Sequence, residues 1–308
     1  MTQQTERDFE VVIVEDGSTL PCKEVCDTFT DQLDLKYFVK ENSGPGQSRN
    51  YGFERISGNY GMFLDSDCVL PETYFATVKS VLQAGYADCF GGPDRAHESF
   101  TDLQKAINYS MTSFFTTGGI RGSSETLEKF HPRSFNMGYS KAVFETTGGF
   151  AKMRFGEDID MSIRILKNGF QTRLIKDAYV YHKRRTSLKQ FFKQVYNSGI
   201  ARINLYKRHP KSLKAVHLAP SLFTLGTMVL VLLGVVVSRI FLLPIALHML
   251  VIFLDSSLKN KSIVIGGLSV VTSYVQLWGY GLGFLNAVWH RIIRKRNEYH
   301  AYDKNFYD

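Results

Sequence analysis

The chain has 308 residues, of which 44% are hydrophobic, enough for one α/β domain of ordinary size plus something more. Its formal net charge of +8, from 37 Lys+Arg against 29 Asp+Glu, favours anionic partners, but the excess is mild and no nucleic-acid-binding module appears, so no nucleic-acid partner is expected. Cys22, Cys26, Cys68 and Cys89 fit neither a zinc nor a redox spacing and read as free thiols, and the polar residues 1–10 give no sign of a cleavable signal peptide.

In chain order, Phe9 to Val14 is a β-branched apolar run that predicts a central parallel strand, ending in Glu15-Asp16-Gly17-Ser18. Leu35 to Lys40 is a second strand, followed by a Gly/Pro loop and a helix from about Gln47 to Ile56 that carries Arg49 and Asn50. Tyr60 to Leu64 is a third strand and runs into Asp65-Ser66-Asp67. A helix is expected over Pro71 to Ala84, a strand over Ala87 to Gly91, and an amphipathic helix over Thr101 to Phe115. Thr116 to Lys129 is a Gly/Ser/Thr-rich loop whose length suggests a lid or an acceptor-binding element. A helix over Lys141 to Thr147 stops at Gly148-Gly149, and another opens on Gly156-Glu157-Asp158-Ile159-Asp160 and runs through Leu166. Tyr179 to Tyr181 is a last strand, next to His182, and a basic amphipathic helix over Leu188 to Tyr206 follows. The alternation of strand and helix argues a doubly wound, mostly parallel sheet.

Ligands of such sheets bind beyond the carboxyl ends of the strands. Asp65 and Asp67 stand at one such end, two residues apart, and would share a side if the chain stayed extended. Paired carboxylates without a cation between them are costly, and oxygen ligands alone suit Mg²⁺ or Mn²⁺ shared with substrate phosphates. A solvated Asp-Ser-Asp turn is the plain alternative.

After residue 215 the composition changes. Leu218 to Val237 and Ile263 to Leu285 are each long enough to span a bilayer, which takes about 20 residues, whereas Ile240 to Leu254 is short. Basic runs precede the first stretch (Lys207 to Lys214) and follow the last (His290 to Arg296), so both ends are expected on the cytoplasmic side of a cell membrane, with two crossings and a short middle segment, three crossings being the alternative. The expected division is 1–207 for the α/β domain, 208–290 for a transmembrane helical region, and 291–308 for a basic tail.

Five pieces occur together in one order: Val14-Glu15-Asp16-Gly17-Ser18, Ser48-Arg49-Asn50-Tyr51-Gly52, Phe63-Leu64-Asp65-Ser66-Asp67, Gly148-Gly149-Phe150 and Gly156-Glu157-Asp158-Ile159-Asp160. This set resembles the inverting family 2 glycosyltransferases of GT-A fold, over most of residues 9 to 187. The resemblance implies a nucleotide-diphospho-sugar donor, a saccharide or lipid-linked acceptor, and a Mg²⁺ or Mn²⁺ cofactor. It implies that Asp16, with Glu15 beside it, meets the nucleotide base and that Arg49 meets the nucleotide or its diphosphate. Asp65 and Asp67 resemble the D-x-D pair, the first on the ribose side and the second on the metal. Asp158 resembles the general base, and His182 stands where some relatives bring a histidine to the metal or diphosphate. Each has a plain structural use as well: Asp16 as a helix cap, Arg49 in a surface ion pair, His182 as a core residue, Gly148-Gly149 as a helix stop, and Asp160 with Arg164 as an i, i+4 pair.

Two departures shape the expectation. The family begins with an apolar strand and a helix before anything like Thr5 to Val14, which predicts a chain lacking its first strand, roughly 25 residues by the length of a βαβ unit. The Gln-x-x-Arg-Trp element of processive synthases is absent after Asp158, which favours transfer of a single sugar. Direct transfer to a polyprenyl phosphate, a silent membrane scaffold and a nucleotidyltransferase remain as alternatives.

Overall fold

The computed structural model describes residues 1–95, 97, 99–117 and 131–298, so the expected loop over Thr116 to Lys129 lies, beyond Thr117, outside the described residues. The elements run β1 Glu10–Asp16, α1 Lys23–Asp27, β2 Asp34–Lys40, α2 Pro45–Phe53, β3 Tyr60–Leu64, β4 Cys68–Val69, α3 Tyr74–Ala84, β5 Cys89–Gly91 and β6 Asp94–Arg95. There follow α4 Asp102–Thr112, α5 Phe114–Thr117, β7 Asn136–Ser140, α6 Lys141–Thr147, α7 Glu157–Lys167, β8 Thr172–Leu174, β9 Val180–His182, α8 Leu188–Arg208, α9 Ala219–Val236, α10 Leu243–Asn260 and α11 Ile263–Ala287. The chain divides into two compact units, residues 1–95 with 125–182 and residues 96–124 with 183–308. The helical unit takes in α4 and α5 together with the residues from Lys183 on.

The first unit is α/β, as the alternation predicts, but its pairing is mixed rather than mostly parallel. β1 and β2 are parallel and, among the described residues, pair only with each other, so β1 is an edge strand with half-buried side chains, not a central one. A second sheet has the order β3-β7-β5-β8, in which β7 runs antiparallel to both β3 and β5. The third, β4-β9-β6, joins one antiparallel and one parallel pair. The physical reason is β7, which returns from the α4 excursion and enters the sheet between β3 and β5 in the opposite sense. Its sequence, Asn-Met-Gly-Tyr-Ser, hides it: all five residues are buried, and the amide of Asn136 is satisfied by the Tyr74 hydroxyl and the Ala178 carbonyl. One aromatic core packs Phe53, Phe63, Tyr139 and Phe150 under α2, β3 and α7, which fixes those three elements against one another.

Helix starts follow their caps. Thr101 and Gln104 form a capping box at α4, while the Ser140 and Ser187 hydroxyls accept from the third residues of α6 and α8.

In the second unit, α9, α10 and α11 lie in three segments, Ala215–Val236, Arg239–Asn260 and Ile263–Ile293, that are each long and apolar enough to cross a membrane. The middle segment is therefore not short. Asp255 and Lys259, which look like the end of the apolar run, lie inside α10 because they pair with each other at 2.9 Å, and Asp255 also accepts the Tyr109 hydroxyl at 2.6 Å.

Candidate active site

The carboxyl end of β1 carries two engaged acids. Glu15 accepts the Cys22 amide and the Tyr37 hydroxyl and is buried. Hydrogen bonds from Ser18, Tyr37 and the Cys22 amide lower its pKa to about 2. The two oxygens of Asp16 accept the Ser43 and Gly44 amides, each at 2.9 Å, and Lys40 Nζ lies 2.5 Å away. Burial works against the charged form of Asp16, but Lys40 and the Ser43 amide outweigh it and hold the pKa below the usual carboxylate range. These contacts pin the loop that leads into α2, so Asp16 sets where Arg49 begins.

Arg49 is the hub of the site. Its guanidinium donates to Asp65 Oδ1 at 2.8 Å and to Glu157 Oε1 at 3.1 Å, and it lies 5.5 Å from the centre of the Phe150 ring. The end of β3, the middle of α2 and the start of α7 therefore converge, with Asp158 beside Glu157 on the first turn of α7. Asp158 pairs through Oδ2 with Arg133 Nε at 2.7 Å, and its Oδ1 accepts the Ile159 amide at 2.8 Å. Asp160 is not part of this group; it pairs with Arg164 at 2.8 Å, and Arg164 also donates to the Thr147 and Gly149 carbonyls.

Gly148-Gly149 does more than stop α6. Asn50 on α2 accepts the Phe150 amide and donates to the Phe150 carbonyl, which clamps this turn onto the helix that carries Arg49. Gly149 has φ of +71°, and a Cβ there would collide with the Asn50 side chain. Gly149→Ala should therefore cost about 2 kcal/mol or more, from left-handed strain and lost Asn50 hydrogen bonds. A lowered Tm in thermal unfolding measures it, and an unchanged Tm would mean that the clamp does not matter.

Asp65 and Asp67 do not share one partner. The Cys68 amide donates to the Asp65 carbonyl across a tight turn, so the chain is not extended there. Asp65 goes to Arg49, whereas Asp67 lies 3.1 Å from His182 Nε2. Antiparallel pairing of β4 with β9 sets Cys68 opposite His182. Donor atoms of Asp67, Cys68 and His182 lie within 4.8 Å of one another, and Asp65 is not in that group. Burial, followed by Asp65 and Asp67, pushes the Cys68 thiol up to about 12, so it stays protonated and is a poor ligand at neutral pH. What remains is one carboxylate and one imidazole. That donor set fits Mg²⁺ or, better, Mn²⁺, with water and phosphate oxygens completing the shell. The Asp67 side chain is 40% exposed, which leaves room for those ligands.

Sequence reasoning passed over Glu157, Arg133 and Cys68. The acid run at the α7 start looks like ordinary helix-dipole complementation, and only the fold brings Arg49 to it. Burial and the charge of Asp158, partly offset by Arg49, push the Glu157 pKa up to about 7. Between about 4.5 and 7 the folded chain thus keeps a proton that the unfolded chain has lost, and stability should fall as pH rises through that window. Glu157→Gln should flatten this part of the Tm-against-pH curve, and identical slopes in both proteins would contradict the assignment.

Residues 1–148 match the family model Glycosyl transferase family 2. Among curated relatives, an uncharacterized glycosyltransferase of Rickettsia bellii is 42% identical over 64 residues, 21% of this chain and 9% of that protein. Glycosyltransferase GlyA of Streptococcus pneumoniae is 36% identical over 86 residues, 28% of this chain and 12% of its own length. The GalNAc(5)-diNAcBac-PP-undecaprenol beta-1,3-glucosyltransferase of Campylobacter jejuni is 32% identical over 91 residues, 29% of each chain. The chain thus spans about a tenth of the length of the first two relatives. A solved mannosyltransferase of Pyrobaculum calidifontis, PcManGT in complex with GDP-Man and Mn²⁺, superposes with a TM-score of 0.63 at 14% identity, covering 94% of this chain and 81% of that one. Residues 1–148 are thus similar to glycosyltransferase family 2, and the fold is GT-A.

Proposed function

We propose that this chain transfers a single sugar, with inversion, from a nucleotide-diphospho-sugar to a hydroxyl of a saccharide or lipid-linked acceptor at a cell membrane, with its catalytic residues on the cytoplasmic side. The observation that carries the reading is Arg49 bridging Asp65 to Glu157, which sets Asp158 next to the acidic corner at the end of β3.

The chemistry follows from those residues. Asp158 takes the proton of the acceptor hydroxyl as its oxygen bonds to the anomeric carbon. The bond from that carbon to the donor's diphosphate breaks on the opposite side, and the nucleoside diphosphate leaves with the electron pair. One base and one in-line displacement invert the anomeric centre. A divalent cation bound by Asp67 and His182 would supply the positive charge that the leaving diphosphate needs. Arg49 offers fixed positive charge at the same corner, and the Glu15–Asp16 end of β1 shapes the nucleoside side. Arg133 holds the Asp158 carboxylate ahead of the acceptor's arrival. The mannosyltransferase of like fold binds GDP-Man and Mn²⁺, which agrees with this donor class.

Membrane residence is supported by the three long apolar helices and the basic runs around them. Arg208 meets Glu298 at 3.1 Å and Arg291 meets Asn204 at 2.9 Å, so the segments before α9 and after α11 lie side by side. The test is incubation of the full chain in membranes with a set of nucleoside diphospho-sugars and Mn²⁺. Release of nucleoside diphosphate matched by a glycoside of inverted configuration is expected, and retention of configuration would contradict the mechanism.

A further inference from the structure

We propose that α9, α10 and α11 lie within one leaflet of the bilayer instead of crossing it, with α4 and α8 covering their water side. This rests on membrane residence, the part of the proposed function concerned with place, and adds how the membrane is held.

Thr224 Oγ1 reaches the Leu277 carbonyl and Ser221 the Gly281 carbonyl, each at 3.4 Å, so α9 runs against α11. The Tyr274 hydroxyl reaches the Ile245 carbonyl at 3.4 Å and Ser269 meets Ser256 at 2.6 Å, so α10 also runs against α11. α9 and α10 run against one another as well, since Phe223 lies 5.2 Å from His248 between ring centres and a Cβ at Gly234 would strike Leu242 just before α10. Three consecutive crossings would give α9 and α11 the same sense, and these two run against one another, so the helices are not three successive spans.

Polar helices flank α11 on one side. A face at i, i+3 and i+4 spacing turns to the polar elements: Thr272 Oγ1 donates to the Ala106 carbonyl on α4 at 3.0 Å, and Asn286 donates to the Tyr196 hydroxyl on α8 at 2.6 Å. Between them, a Cβ at Gly283 would strike the Tyr196 backbone, so α8 and α11 touch main chain to main chain. The contacts with α9 and α10 occupy the other side of α11. α8 has 21 residues, about 30 Å at 1.5 Å per residue, as long as a hydrocarbon core is thick. A crossing α11 would carry Lys189 and Lys193 of α8, and Asp102 and Lys105 of α4, into the hydrocarbon beside it. Charges at that depth are strongly disfavoured.

The opposite side is built for lipid. Val235 and Leu258 are 79% and 78% exposed, Leu222 and Ile240 stand out likewise, and such a surface is far larger than a soluble protein leaves open. Exposed Arg239 and Lys261 flank α10, and Lys207, Arg208 and Lys211 precede α9, a basic rim suited to anionic headgroups of a single leaflet.

The test uses the full chain in host membranes with Ser238→Cys (the α9–α10 link), Lys261→Cys (the α10–α11 link) and Lys211→Cys as a marker of the protein's own side. Right-side-out and inverted vesicles are treated with an impermeant PEG-maleimide, and additions are counted over the parent chain. Ser238→Cys and Lys261→Cys should react from the face that modifies Lys211→Cys, or only after detergent. Modification of either from the opposite face overturns the proposal. Recovery of the chain in the supernatant, as a dimer covering its own apolar face, overturns it together with membrane residence while leaving sugar transfer untouched.

Discussion

Asp158→Asn should lower turnover by about 10²–10⁴-fold, the usual weight of a positioned general base, while nucleotide affinity stays unchanged. The substitution keeps size and hydrogen-bond capacity towards Ile159, so the first turn of α7 should persist. What it removes is the acceptor for the hydroxyl proton and the charge that pairs with Arg133. The comparison has to include donor binding, since loss of both would signal a disturbed Arg49–Glu157 bridge and not a missing base. The same variant separates two acceptor classes. A phosphate oxygen attacks without giving up a proton, so an enzyme acting on a polyprenyl phosphate would keep much of its activity.

Asp67→Ala should abolish metal-dependent binding of a nucleoside diphosphate and reduce turnover below detection, whereas folding should be nearly unaffected. Asp67 is partly exposed and pairs with His182, which itself stacks on Phe135 at 5.0 Å between ring centres and is held by β9 whatever stands at residue 67. Removing a surface-accessible carboxylate from such a pair costs little stability, but with it goes the only carboxylate of the Asp67/Cys68/His182 group. Calorimetric titration with Mn²⁺ present and after chelation checks this. An unchanged affinity in the variant would mean that the cation sits elsewhere or is not used.

The sequence made the local pattern legible. A Ser at the start and a Gly at the end bounded α6 correctly, and the acids Glu15, Asp16 and Asp65 do stand at the carboxyl ends of β1 and β3. It did not reveal β7, because Asn136, Gly138 and Ser140 look like a turn until Tyr74 and Ala178 close over the asparagine. The length of α10 was hidden for a related reason: Asp255 reads as a helix end unless the distant Tyr109 is known to meet it. In the site, spacing puts Asp65 and Asp67 on one side only if the chain stays extended, and the backbone hydrogen bond across the turn shows that it bends there. The Arg49–Glu157 contact spans 108 residues of chain, a separation that no spacing rule reaches.

Sugar transfer at this site requires a cation and a diphosphate to meet at the acidic corner. A thermal-unfolding screen of the full chain against nucleoside diphosphates, with and without Mn²⁺, addresses that directly. At least one nucleoside diphosphate should raise Tm in the presence of the metal and fail to do so in its absence. If none raises it under either condition, or if the rise is the same without metal, the proposed donor site is wrong.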